Sequence, residues 1–250
     1  MRAGCGMSWV SRREGPEQAL LAAPGRGAVV TAAVLTATAA VFVAVADHGT
    51  LAHIQRLDDA WLRLMISSRS APVTAVAKFL NVLGLVYVTL PVRIAIAGFL
   101  ALRRRWWHLA AFAGAVLLSE ILIGTLKGIY DRARPPGSLV TTSGASFPSG
   151  HSVAASVTVV AAVIALVPPG RRRAAWGTVA AGFSVLMGLS RAYLGAHWLS
   201  DAIAGILLGT SCALLAALVV SGLQRRWSAP RPGRSARLPV SDTARPAGRL

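Results

Sequence analysis

Two histidines, three cations and a carboxylate have the types and spacing to do chemistry on an anion. Ser149, Gly150 and His151 follow Phe147-Pro148 at the start of an apolar run. Proline stiffens the entry, serine suits a helix N-cap, and glycine lets the backbone approach a ligand closely. His151 then falls in a first helical turn, where unpaired N–H groups and the helix dipole favour an anion. A histidine placed there can pass a proton. The same residues also suit an ordinary capped helix with an exposed histidine.

His197 and Asp201 are four residues apart, so on a helix they share one face. A carboxylate beside an imidazole fixes its tautomer, and the unprotonated nitrogen is then free to attack phosphorus. An isolated pair of this spacing is more often structural. Lys127, Arg134 and Arg191 complete the set. One such cation alone suits anchoring at a membrane interface. Three of them with a glycine-bearing helix start describe a pocket for a multiply charged anion, most simply phosphate. Arg132 is a weaker candidate, and neighbouring Asp131 reads as an offset to its charge.

The elements that must position these residues are apolar. Hydrophobic residues make up 54% of the 250, and mean hydropathy is +0.58, which argues against a soluble fold. The net charge of +17 is carried almost wholly by arginine; Lys78 and Lys127 are the only lysines. A basic excess is one mark of nucleic-acid binding. Here the arginines cluster between apolar runs and in the tails, which suits a membrane protein facing anionic lipid and no nucleic acid. Cys5 and Cys212 indicate neither a disulfide framework nor a zinc site.

Apolar runs lie at 28–46, 75–102, 106–126, 151–167, 174–189 and 199–223. Each is near the ~20 residues that cross a bilayer. The expectation is an all-α polytopic membrane protein, with a six-helix domain over 28–223. Residues 1–27 read as a partly disordered cytoplasmic tail and 224–250 as a disordered basic cytoplasmic tail. Ala44-Val45-Ala46 resembles a signal-peptidase site, but the run before it exceeds the ~7–15 residues of a secretory core, so a retained helix is expected. In the polar stretch 47–72, Leu57, Trp61, Leu64 and Met65 recur opposite Asp58, Asp59 and Arg63. That is the pattern of a short amphipathic helix on the membrane surface or on the domain. Arginines 103–105, 171–173 and both tails fall on one side if the spans alternate, and that side reads as cytoplasmic. Loops 47–72, 127–150 and 190–198 then share the extracytoplasmic face, with every candidate residue among or beside them.

Three stretches taken together resemble one family. They are Lys127, six residues, Arg134-Pro135; Pro148-Ser149-Gly150-His151; and Ser190-Arg191, five residues, His197, three residues, Asp201. The chain resembles the type 2 phosphatidic acid phosphatases, which share their site with vanadium-dependent haloperoxidases. The resemblance implies that His197 is a nucleophile forming a phosphohistidine and that Asp201 orients it. It implies that His151 protonates the leaving oxygen and then activates water. Lys127, Arg134, Arg191, Ser149 and the Gly150 amide would hold the phosphoryl oxygens, with no metal or other cofactor. The implied activity is hydrolysis of lipid phosphates or pyrophosphates: phosphatidic acid, phosphatidylglycerophosphate or undecaprenyl pyrophosphate. The implied place is a bacterial-type plasma membrane, with the site facing the extracytoplasmic side. A non-catalytic lipid-phosphate binder or transporter is the main alternative. A soluble haloperoxidase fits the apolar spans poorly. Oligomeric state is not legible.

Two charges fall inside apolar runs, Arg93 and Glu120. Counted from the arginine turn, their depths differ by about 6 Å at 1.5 Å per residue, which predicts a buried pair. Lys127 is the rival partner for Glu120.

Overall fold

Asp47 begins a helix because its carboxylate accepts the Thr50 N–H at 2.8 Å, a side-chain N-cap. Pro72 stands in the first turn of the next helix, where a missing N–H costs nothing. Pro168 and Pro169 follow the end of another. The computed structural model, which describes residue 20 and residues 24–229, strings eight helices in this way, with no strand among the described residues. They are α1 (Pro24–Ala46), α2 (His48–Ser67), α3 (Ala71–Leu83), α4 (Val86–Leu102), α5 (Trp106–Tyr130), α6 (Gly150–Leu166), α7 (Arg171–Tyr193) and α8 (Leu199–Ser228).

The bundle is wound around α8, which packs on α1, α5, α6 and α7. Its apolar stretch is 56% buried, against 22% for the stretches of α1 and α5. The tightest contact is between α6 and α8. A Cβ at Gly205 would lie 2.7 Å from the Ser149 carbonyl oxygen, and one at Gly209 2.6 Å from that of Val153. Only glycine permits that approach, a familiar device for joining helices in lipid. Phe42, Leu100, Phe112, Phe147, Val153, Val157 and Leu208 fill the main core. Outside it, large apolar side chains such as Phe79, Tyr87, Ile94, Leu117 and Val179 are exposed, as lipid contact requires.

Among the described residues, three helices are long and apolar enough to cross a membrane: α1, α5 and α8. The count is four if α3 and α4 form one span, bent by 52° at a break. Helix α6 is apolar but shorter, at 17 residues. The other boundaries moved outward. Lys127 lies in the last turn of α5, and Ser190 and Arg191 lie within α7, rather than in loops. Helix α8 continues to Ser228, past the expected start of the tail at 224. The expectations for most of 1–27 and for 230–250 lie outside the described residues.

Two expectations within the membrane region can be compared directly. The amphipathic segment is the 20-residue α2, but it turns Asp58 inward together with Leu62, while Leu57 and Leu64 are exposed. In lipid the usual pattern inverts, because apolar side chains can cover the outside while a paired charge sits within. Arg93 and Glu120 do pair, at 2.7 Å, but the pair is not buried as expected: Glu120 is 54% exposed. Arg93 also donates to Thr158 Oγ1 at 2.9 Å and to the Ala154 carbonyl at 3.4 Å, so it ties α4 to α6 as well as to α5. Lys127 turns away, to the Ala145 carbonyl.

Candidate active site

Four helix ends meet at one end of the bundle: the C-termini of α5 and α7, and the N-termini of α6 and α8. The 131–149 loop covers them. Lys127 Nζ donates to the Ala145 carbonyl at 2.6 Å, and Arg134 donates to the carbonyls of Ser143, Gly144, Ala145 and Ala196. These bonds join α5, the loop and the 194–198 turn, so the predicted residues come together although up to 74 positions separate them in sequence (Lys127 to Asp201).

His197 sits in the turn between α7 and α8, where Gly195 takes φ +68°. It is 3% exposed. Its Nε2 is 3.2 Å from Arg134 Nη1. A guanidinium only donates, so Nε2 must carry the lone pair and Nδ1 the proton. Nδ1 faces Asp201 Oδ2 at 3.6 Å, an ion-pair distance longer than a hydrogen bond. Burial pushes the imidazole down to about 4, reinforced by Arg191 and Arg134 and opposed by Asp201. The ring is therefore neutral near pH 7, with the lone pair of Nε2 turned to Arg134.

Asp201 is wholly buried and fully engaged. Oδ2 accepts from the Trp198 N–H at 3.0 Å, which caps α8, and from the Ser146 hydroxyl. Oδ1 accepts from Arg132 at 2.7 Å. Arg132 in turn donates to Asp58 Oδ2 at 2.8 Å, to Gln55 Oε1 at 2.7 Å and to Ser200 Oγ at 2.7 Å. Asp58 also accepts the Ser200 N–H and hydroxyl. The exposed Asp131 takes no part, so it does not offset Arg132 as the sequence suggested; Asp58 and Asp201 do.

The other half is more open. His151 lies in the first turn of α6, within electrostatic reach of Arg191, His197 and Arg134. Among the described residues its Nε2 has no partner, and neither has Arg191 Nε. Arg191 Nη1 donates to Asn81 Oδ1 of α3. Ser149 holds the N-cap position but caps no backbone N–H; its hydroxyl accepts from Ser152 Oγ at 3.0 Å. Space beside Gly150 is open: a Cβ there would meet nothing within 4 Å.

Sequence reasoning missed Asp58, Gln55, Ser146, Ser200 and Asn81, and undervalued Arg132. The one available signal was Asp58, an acid within an otherwise amphipathic pattern. Its partner is 74 residues away, at a distance that no periodicity reports.

The family that residues 106–225 match is the PAP2 superfamily. The matched stretch runs from α5 into α8 and leaves α1 to α4 outside. Phosphatidylglycerophosphatase B of Bacillus subtilis (strain 168) is 29% identical over 182 residues, which is 69% of this chain and 86% of that protein. Lipid A 1-phosphatase of Rhizobium johnstonii is 36% identical over 124 residues, 45% of this chain and 48% of its own length. The crystal structure of a transmembrane PAP2 type phosphatidylglycerolphosphate phosphatase from Bacillus subtilis aligns with a TM-score of 0.61 at 26% identity, covering 78% of this chain and 96% of that one. The Aquifex aeolicus LpxE structure shares the fold, with a TM-score of 0.52 at 23% identity over 62% of this chain and 91% of that one.

Proposed function

We propose, from the PAP2 superfamily domain that residues 106–225 carry, that this chain is an integral-membrane phosphatase of lipid phosphate monoesters or pyrophosphates. The observation that carries the reading is His197: neutral, buried, with its lone pair on Nε2 beside Arg134 and its proton toward Asp201. Binding a phosphate needs cations alone. A neutral imidazole backed by a carboxylate is what a nucleophile needs.

In the reaction, Arg134 gives its N–H to a phosphoryl oxygen and His197 Nε2 attacks phosphorus. The N–P bond forms as the P–O bond to the lipid breaks, and His151 gives the departing oxygen its proton. Negative charge on the arriving phosphate favours the imidazolium that this step requires. Water then attacks the phosphohistidine, His151 takes the water's proton, the N–P bond breaks and inorganic phosphate leaves. Lys127, Arg134, Arg191, Ser149 and the Gly150 amide stabilise the charge that develops on the phosphoryl oxygens. The donor set is cationic, so it suits an anion and repels a metal ion.

A lipid substrate fits the surroundings. An apolar cavity of about 280 Å³, lined by Trp61, Val76, Leu80, Leu186, Leu189 and Ser190, adjoins the residues that hold Arg191. A charged head at Arg191 and an acyl chain in that cavity suit phosphatidic acid, phosphatidylglycerophosphate or undecaprenyl pyrophosphate. The site faces outward from a plasma membrane that the chain crosses six times. Support comes from the opposite end, where Trp106, Trp176 and Trp227 are exposed beside the arginine clusters of the α4–α5 turn, the start of α7 and the end of α8. That pattern marks a cytoplasmic interface.

Phosphate release by the purified protein over a panel of lipid mono- and pyrophosphates, in chelator, is the test. Turnover is expected with wild type and none with His197→Ala. Intact cells given a short-chain lipid phosphate should release phosphate outside. Strict dependence on Mg²⁺, or turnover by His197→Ala, would overturn the mechanism; release only after lysis would overturn the orientation.

A further inference from the structure

The break between α3 and α4 falls beside the open half of the site. Gly84 has φ −84° and ψ −6°, a conformation that any residue adopts, so the backbone does not require glycine there. Space does. A Cβ on Gly84 would stand 2.4 Å from His151 Cδ2 and 3.0 Å from Cγ. The imidazole thus occupies the room that a side chain at 84 would take. One turn earlier, Asn81 Oδ1 accepts from Arg191 Nη1. The contact orients the guanidinium without cancelling its charge, unlike the two carboxylates on Arg132. What remains unpartnered among the described residues is one nitrogen on each group, His151 Nε2 and Arg191 Nε. Both Asn81 and Gly84 lie outside the matched family stretch.

We propose that the α3–α4 break is the seat of the proton-transfer histidine and of one phosphate cation: Gly84 makes the gap that His151 fills, and Asn81 is a positioning residue for Arg191. The inference rests on the roles given above to His151 and Arg191. If a methyl is placed at 84, the ring must move away from the leaving oxygen. If the Asn81 amide is removed, the guanidinium loses its orientation before it meets phosphate.

Four variants of the full chain in detergent test this: His151→Ala, Gly84→Ala, Asn81→Ala and Asn81→Asp. Each is assayed on a lipid phosphate, whose alkoxide must be protonated, and on p-nitrophenyl phosphate, whose leaving group needs no proton. Gly84→Ala should copy His151→Ala, losing roughly 10²–10⁴-fold in kcat on the lipid and far less on the aryl ester. Asn81→Ala should raise KM and the vanadate inhibition constant roughly tenfold to a hundredfold and lower kcat/KM by at least as much. Asn81→Asp should be no better, because it neutralises the cation while keeping an acceptor. The proposal fails if Gly84→Ala slows both substrates alike or neither. It also fails if the aspartate restores wild-type affinity, as a purely structural hydrogen bond predicts. The Asn81 pair decides alone should Gly84→Ala not fold. A His151→Ala variant with no leaving-group dependence would instead refute the role of His151.

Discussion

The two halves of the site differ in how much of their polarity the protein satisfies. Around His197, charges alternate: Asp58, Arg132 and Asp201 lie in a row, each hydrogen-bonded and each at most 8% exposed. Around His151, two buried nitrogens have no partner among the described residues. The first half is finished before a substrate arrives. The second has an arginine donor, Arg191 Nε, whose desolvation is offset only by an incoming anion. A nucleophile gains from a fixed frame, whereas a phosphate pocket gains from unspent donors.

The sharpest way to break this comparison is through stability. Asp58→Ala strips a carboxylate from a buried arginine and should cost roughly 3–5 kcal/mol. Turnover should fall with it, because Arg132 then draws Asp201 from His197. His151→Ala should cost less than Asp58→Ala, since the gap it leaves at Gly84 is offset by the loss of an unsatisfied nitrogen. Unfolding in detergent measures both; equal losses would erase the distinction between the halves.

A smaller effect is expected away from the site. Arg93 holds three partners and Glu120 is 54% exposed, so Arg93→Met should cost more than Glu120→Gln. Their double-mutant cycle should give a coupling of roughly 0.5–3 kcal/mol in thermal unfolding. Additive losses would mean that the pair contributes nothing and that only the site carries coupled charge.

The smallest effect concerns protons. A free histidine titrates at 6.5, whereas His197 is held down to about 4. Between those values the unfolded chain binds a proton that the folded chain refuses, so this contribution to stability falls as pH drops from 6.5 toward 4. Histidine ¹⁵N NMR should show His197 neutral at pH 5.5; an imidazolium there would mean that the frame around it is not dry.

The convergence of the motif residues was legible from their types and order: Lys127, Arg134, His151, Arg191, His197 and Asp201 do come together. The depth of Arg93 and Glu120 was legible from helix rise alone. Asp58 was not, because its role depends on α2 folding back over the 131–149 loop. The α3–α4 break left only one glycine in an apolar run, which no pattern distinguishes from packing. Six spans were read from hydropathy; helix length and composition support three or four, because α6 is short, α7 is not apolar enough and α3–α4 is bent.

The glycine contact between α6 and α8 sets a gauge. Gly205 stands one turn beyond Asp201 and touches the carbonyl of Ser149, which opens the helix bearing His151. The Ser149 N–H, in turn, donates to the Asp201 carbonyl at 3.1 Å. His151 and Asp201 therefore hang from two rods clamped together at their tips. The opening between them is where His197 stands, within electrostatic reach of both. Because the clamp is backbone against backbone, that opening is indifferent to which side chains line the rest of the bundle. A change of side chain elsewhere in the bundle therefore leaves the spacing of His151 and Asp201 in place.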